Sequence, residues 1–219
     1  MNTETKDFHK VDFSGMSFAD ADMTHADFSE ANLSDCDLSN ADLSYANLSG
    51  ANLKNANLQN TQLKNTTAVS ADFEGANLHS VDFTSADLKG SNFYRANLYR
   101  SIFTKSNVSF CNFNNAKLNY SNFTDAEMKH TNLSGAELIG VIGNMKEIKS
   151  CQFEEWPIAW IADFRKNTQT LFVGNHRFSL ETWKDLNTFN GSKSPEWWEN
   201  YKNVVISMIE MSPAVNSFM

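Results

Sequence analysis

Large apolar residues recur at every fifth position along the first two thirds of the chain. The series runs Phe8, Phe13, Phe18, Met23, Phe28, Leu33 and onward to Met128, Leu133 and Leu138. It comprises 27 consecutive units without an insertion, and Ala68 is the one small residue among the centres. Two positions before each centre the residue is small in most units, as at Ala21, Ala26, Ala31, Cys36 and Ala41 through Ala136. A period of five suits neither regular element. On an α-helix five residues rotate by about 500°, so the centres would drift around the axis. On a flat strand an odd step alternates faces and turns half of the centres to water. The pattern works if the chain turns a corner once per unit, so that the backbone coils, every centre points inward and successive coils stack like strands.

The centres also set the number of sides. From Phe73 to Phe123 they alternate between Phe and Leu or Val: Phe73, Leu78, Phe83, Leu88, Phe93, Leu98, Phe103, Val108, Phe113, Leu118, Phe123. Three sides would scatter the rings over every face. Four sides place them all on two opposite faces, which predicts a four-sided coil of about 20 residues. The least regular interior stretch is "TQLKNTTAVS", where Thr61 and Thr66 replace Ala and Ala68 replaces a large centre.

Units such as "ADFSE", "ANLSD", "ADLSY" and "ANLKN" resemble the pentapeptide-repeat proteins, over roughly residues 6–140. The resemblance implies an all-β, right-handed quadrilateral β-helix, in agreement with the side count. With coils about 4.8 Å apart, the units would make nearly seven coils and a rod roughly 30–35 Å long.

Outside the wall, charge is unevenly placed. Residues 1–50 hold ten acids against Lys6 and Lys10, residues 51–140 seven acids against eight bases, and residues 141–219 nine against eight. The net charge of −8 therefore sits in the first two to three coils, at a linear density like that of duplex DNA, about one charge per 1.7 Å. Repeat proteins of the quinolone-resistance type are similar rods thought to imitate DNA and bind DNA gyrase or topoisomerase IV. The resemblance thus points to Asp7, Asp12, Asp22, Asp27, Asp37 and Asp42 as partner-binding residues. Two departures stand out: the acidic surface stops part-way, and the loop insertions of many Gram-negative members are missing. A structural role competes with the functional one, since Asp or Asn before each centre can satisfy backbone donors at the corner.

A second candidate surface is "FYRANLYRSIFTK", residues 93–105, where Tyr94, Arg95, Tyr99, Arg100 and Ile102 occupy outward positions. Tyr and Arg are enriched at interfaces, and a stack of Arg100 on Tyr120 one coil away is expected.

The register fails after Leu138, which predicts a boundary between a 1–140 β-helix and a 141–219 C-terminal α+β domain that caps the open end. All five Trp and all three Pro lie in residues 156–213. "IKSCQF", "PIAWIA" and "TLFVG" read as strands with "DFRKNTQ" as a turn, and "SLETWKDL" as a short helix. "SPEWWENYKNVVISMIEM" reads as a helix capped by Ser194 with Pro195 in its first turn. Trp197, Trp198, Tyr201 and Val205 there are candidates for a cap or homodimer interface.

Nothing in the sequence calls for catalysis or a cofactor. There is no Gly-rich phosphate loop, HExxH, GxSxG or metal-ligand cluster. The cysteines Cys36, Cys111 and Cys151 are odd in number and widely spaced, and the first two fall on inward small positions. They read as reduced residues of a cytoplasmic protein. No apolar run suffices for a membrane helix, and the N-terminus has no apolar secretory segment. The acidic balance disfavours direct nucleic-acid binding. The expectation is a non-enzymatic protein that binds a protein partner, either as a DNA mimic acting on a type II topoisomerase or another DNA-binding protein, or as a scaffold using the Tyr/Arg band and the Trp-rich segment.

Overall fold

The structure, a computed structural model, describes residues 6–143 and the backbone of four strands between Ile148 and Ser179. Residues 6–143 form the expected coil. Parallel bridges link each residue before a centre to the residue 20 positions later, from Asp7 with Asp27 through Asn122 with Ile142. Each side contributes an isolated bridge rather than an extended strand, and a corner follows it, so one coil contains four sides.

The corner has a strict conformation. The residue two after every centre, from Lys10 to Gly140, has positive φ; the non-glycine values lie between 54° and 64°. The next amide closes the turn, as in Val11 N–H to the Phe8 carbonyl at 3.1 Å. Left-handed backbone is costly for β-branched side chains. Accordingly the corner positions hold Gly, Asn, Ser, Asp and unbranched long residues, and no Val, Ile or Thr.

All five amides of a typical unit can be traced, as buried backbone requires. Around Phe28, the centre and corner amides (Phe28, Glu30) donate to Asn47 and Ser49 in the next coil. Asp27 N–H donates back to Lys6, and Ala31 N–H closes the turn onto Phe28. The fifth amide, Ser29 N–H, donates to Oδ1 of Asp27 at 2.9 Å. Asp or Asn before the centre therefore completes the backbone of the corner.

Inside, the rings stack as the side count predicts. Phe73, Phe93 and Phe113 form one column with centroids 4.8 Å apart. Phe83, Phe103 and Phe123 form the opposite one at 5.1 and 4.6 Å. The columns meet edge to face at 5.8–6.3 Å, a favourable arrangement for rings. The centres from Phe28 to Val108 have no exposed surface.

Small positions that are not Ala solve their polarity by a common route. Thr61 Oγ1 donates to the Leu38 carbonyl (2.7 Å), Thr66 Oγ1 to Leu43 (2.9 Å) and Cys111 Sγ to Leu88 (2.9 Å), each 23 residues back, while Ser101 and Ser106 donate three residues back, to Leu98 and Phe103 (2.7 Å). The irregular stretch at 61–70 is thus hydrogen-bonded and in register. Ser121 is the exception: its buried hydroxyl has no partner among the described residues. An orphaned hydroxyl costs free energy that its replacement by the repeat's usual Ala removes. Ser121→Ala should raise stability by about 1 kcal/mol, read as an increased midpoint of thermal or urea unfolding.

Past the rod lies a four-stranded antiparallel sheet in the order β1 (Ile148–Phe153), β2 (Trp156–Asp163), β3 (Thr168–Val173), β4 (His176–Ser179). Three strands match the expected segments. The fourth is new, paired through Val173 with His176 across two residues, Gly174 and Asn175, a dipeptide that favours hairpins. The two expected helices lie outside the described residues.

Candidate protein-interaction surface

The six predicted aspartates all stand before a centre, on the first two coils. Each carboxylate accepts, through Oδ1, the amide two residues later: Asp7 from His9, Asp12 from Ser14, Asp22 from Thr24, Asp27 from Ser29, Asp37 from Ser39 and Asp42 from Ser44, at 2.9–3.1 Å. These bonds, first those from Ser14 and Thr24, hold Asp12 and Asp22 below the usual carboxylate range. Bonds from Ser29 and Ser39 do the same for Asp27 and Asp37. The position is less outward than expected: Asp27, Asp37 and Asp42 are half-buried.

The aspartates do not share one face. Stepping by 20 puts Asp7 and Asp27 on one side, Asp12 on the next, Asp37 on the third and Asp22 with Asp42 on the fourth. With Asp20, Glu30 and Asp35 at the corners they form a negative collar around one end of the rod. Among the described residues, one ion pair answers it, Lys10 to Glu30 at 3.4 Å. Lys6 Nζ instead donates to the Asp22 carbonyl. Three acids higher up are matched: Lys54 bridges Asp72 and Glu74, and Lys64 pairs with Asp82, at 3.2–3.3 Å.

The charge of the collar exceeds what the corner needs. Asn supplies the same Oδ1, as Asn32 does to Ser34 N–H at 3.2 Å. Asn also donates its amide to the coil below: Asn32 to Asp12, Asn47 to Asp27 and Asn57 to Asp37, at 2.9–3.1 Å. Asp27 above Asp7 and Asp42 above Asp22 have no amide to donate and set like charges opposite one another, which is unfavourable across paired strands.

The Tyr/Arg band wraps three sides and spends much of its chemistry internally. Arg95 lies over Tyr94 (4.9 Å to the centroid) and Arg100 over Tyr99 (5.5 Å). Arg100 thus stacks on its sequence neighbour rather than on Tyr120, because Tyr99 itself sits between His79 and Tyr120 at 5.4 Å from each. Ile102 is 37% exposed and offers no oxygen to the Thr104 amide. Phe110 is exposed, as its outward slot implies, and sequence reasoning missed a second exposed aromatic at a left-handed corner, Tyr45. Its outward slot was the available signal. Trp197, Trp198, Tyr201 and Val205 lie outside the described residues.

The described residues contain no His/Cys/Asp/Glu group arranged to hold a metal ion, and none of their helices is long and apolar enough to cross a membrane. Cys36 and Cys111 are buried in the wall. Burial pushes the Cys111 thiol up to about 12 and raises Cys36 as well. A thiol held protonated is a poor nucleophile. In a Cys151→Ser background, dithionitrobenzoate should therefore label neither cysteine in the native protein and both after denaturation.

Two family models match the chain. One, described as pentapeptide repeat region, covers residues 76–159. The other, described as pentapeptide repeats (8 copies), covers residues 7–44, 31–67 and 46–84. Among solved structures, HetL from the cyanobacterium Nostoc sp. strain PCC 7120, a pentapeptide repeat protein involved in heterocyst differentiation regulation, is 26% identical. The match covers 63% of this chain and 70% of HetL, with a TM-score of 0.28. Full-length QnrB1, a plasmid-mediated fluoroquinolone resistance protein, is 20% identical over 65% of this chain and 85% of its own, with a TM-score of 0.27. Rfr23 from the cyanobacterium Cyanothece 51142 is 22% identical over 63% and 87%, with a TM-score of 0.26. No curated protein matches.

Proposed function

The chain belongs to the pentapeptide-repeat family, and from that premise we propose that it is a non-enzymatic, cytoplasmic protein-binding rod whose acidic N-terminal coils engage a positively charged protein surface. On the same ground its solenoid is read as right-handed, and residues 141–219 as a separate capping domain. One observation carries the binding reading. At Asp27 and Asp42 the chain keeps stacked carboxylates where Asn would make every bond of the corner and a ladder bond besides. A feature that opposes the fold's own preference is the signature of a surface kept for binding. The specific partner class we infer is a DNA-binding enzyme such as a type II topoisomerase. A collar of carboxylates offers such an enzyme negative charge of the kind it binds on the phosphates of DNA.

The test is competition with duplex DNA for DNA gyrase. The protein should displace DNA at low salt and lose affinity steeply as salt rises. Changing Asp22, Asp27, Asp37 and Asp42 to Asn should abolish displacement while leaving the rod folded and its unfolding midpoint unchanged or higher. Failure of the native protein to compete at any concentration removes the topoisomerase reading. Equal competition by the Asn variant removes the collar as the binding element. The other reading, a scaffold that binds through Tyr94, Arg95, Tyr99, Arg100 and Ile102, predicts an interaction that salt barely weakens.

A further inference from the structure

The first coil departs from the rest at the positions that line the wall. Where the second coil carries Ala31 and Cys36, each 1% exposed, the first carries Val11 and Met16, exposed by 38% and 50%. Beside them Phe13 and Phe18 are only partly buried, packed edge to face at 5.2 Å. Every later coil lies on a preceding one. The amides of Asp12 and Ser17, whose counterparts at Asn32 and Asp37 donate to Val11 and Met16, face no coil among the described residues. Among the described residues the N-terminal end is thus an apolar floor whose edge holds backbone donors that no coil accepts.

Charge identifies its occupant. The first two coils carry nine carboxylates against two lysines, so a second copy docked head to head would oppose two negative collars. We propose that this end is a docking face for a cationic protein segment bearing apolar side chains, which cover Val11 and Met16 while Lys or Arg groups meet the collar. This rests on the protein-binding reading above but not on a topoisomerase as partner. It places the contact on the end of the rod, whereas imitation of DNA requires only its sides.

The full chain is titrated against a fluorescent synthetic peptide of alternating Lys and Leu pairs, with Leu→Ser and Lys→Glu peptides as the other arms. Only the Lys/Leu peptide should bind tightly. Val11→Ala combined with Met16→Ala should weaken it at least ten-fold. Since Ala is the repeat's own residue there, an unchanged unfolding midpoint certifies that variant. Phe110→Ser, removing an exposed ring far along the rod, should leave affinity unaltered. Equal binding of the Leu→Ser peptide, an unaffected Val11/Met16 variant, an equal loss in Phe110→Ser or no binding at all each overturn the proposal. So does self-association in sedimentation that the Val11/Met16 variant abolishes, since a second copy is then the occupant. A ten-fold gain on deleting residues 2–5 overturns it too, by assigning the floor to the chain's own N-terminus. If the Asp→Asn variant loses competition with DNA while the Val11/Met16 variant binds the Lys/Leu peptide as tightly as the native chain, the function above stands and the end-face contact falls.

Discussion

Phe103→Ala should cost about 4 kcal/mol of stability, within the range for large aromatic deletions from close-packed interiors. The ring has no exposed surface and sits between Phe83 and Phe123 in its own column at 5.1 and 4.6 Å. It also meets Phe93 and Phe113 across the interior at 6.3 and 5.8 Å. Removing it opens a void that cannot collapse, because three of the five amides of each unit hydrogen-bond to adjacent coils at fixed spacing. Urea unfolding monitored by far-ultraviolet circular dichroism measures the loss. Phe103→Leu, which puts the alternative centre residue in the same slot, should recover more than half of it. A change below about 1 kcal/mol for Phe103→Ala, far under the expected cavity cost, would mean that the columns do not carry the rod.

The second large effect concerns the small positions. Ala96 is fully buried, between Ala76 and Ala116 in the same column of the wall. Ala96→Leu must push the wall outward and should destabilise by about 3 kcal/mol, at the upper end for overpacking. Ala96→Thr adds nearly as much polarity as volume, yet should cost less than about 1 kcal/mol, since the new hydroxyl regains a net hydrogen bond. Its acceptor is the Phe73 carbonyl, 23 residues back, the bond made by Thr61, Thr66 and Cys111 in their own coils. The pair is compared by the same unfolding assay. A Thr variant as damaged as the Leu variant would show that the recurrent carbonyl bond does not rescue a polar group in this wall.

Most of the rod could be read from residue order because its physics is local and repeated. The five-residue period forces a corner per unit, and the alternation of Phe and Leu fixes four sides. Both follow from which side chains must avoid water. The competing roles of Asp were also visible, but not their balance. Only the geometry shows that Asp27 and Asp42 lie on other aspartates, and that the collar runs around four sides instead of along one. The Arg100 stack went to Tyr99 because the ring one coil up was already engaged with Tyr99. That competition for one ring is not written in the spacing. The strand His176–Ser179 is short and polar, so its pairing depends on β3 beside it rather than on any pattern of its own.

The link between residues 20 apart has a mechanical consequence. In the rod, a coil touches the coil before it and the coil after it, and the hydrogen bonds between coils lie along the axis rather than across it. A load applied at the two ends is therefore borne by whichever terminal coil is weakest, and the neighbours feel nothing until that coil has peeled away. Each release frees 20 residues, about 70 Å of extended chain, in place of under 5 Å of rod. Under tension such a protein lengthens in equal steps and rewinds from the last intact coil, behaving less like a globule that breaks than like a ratcheted spring.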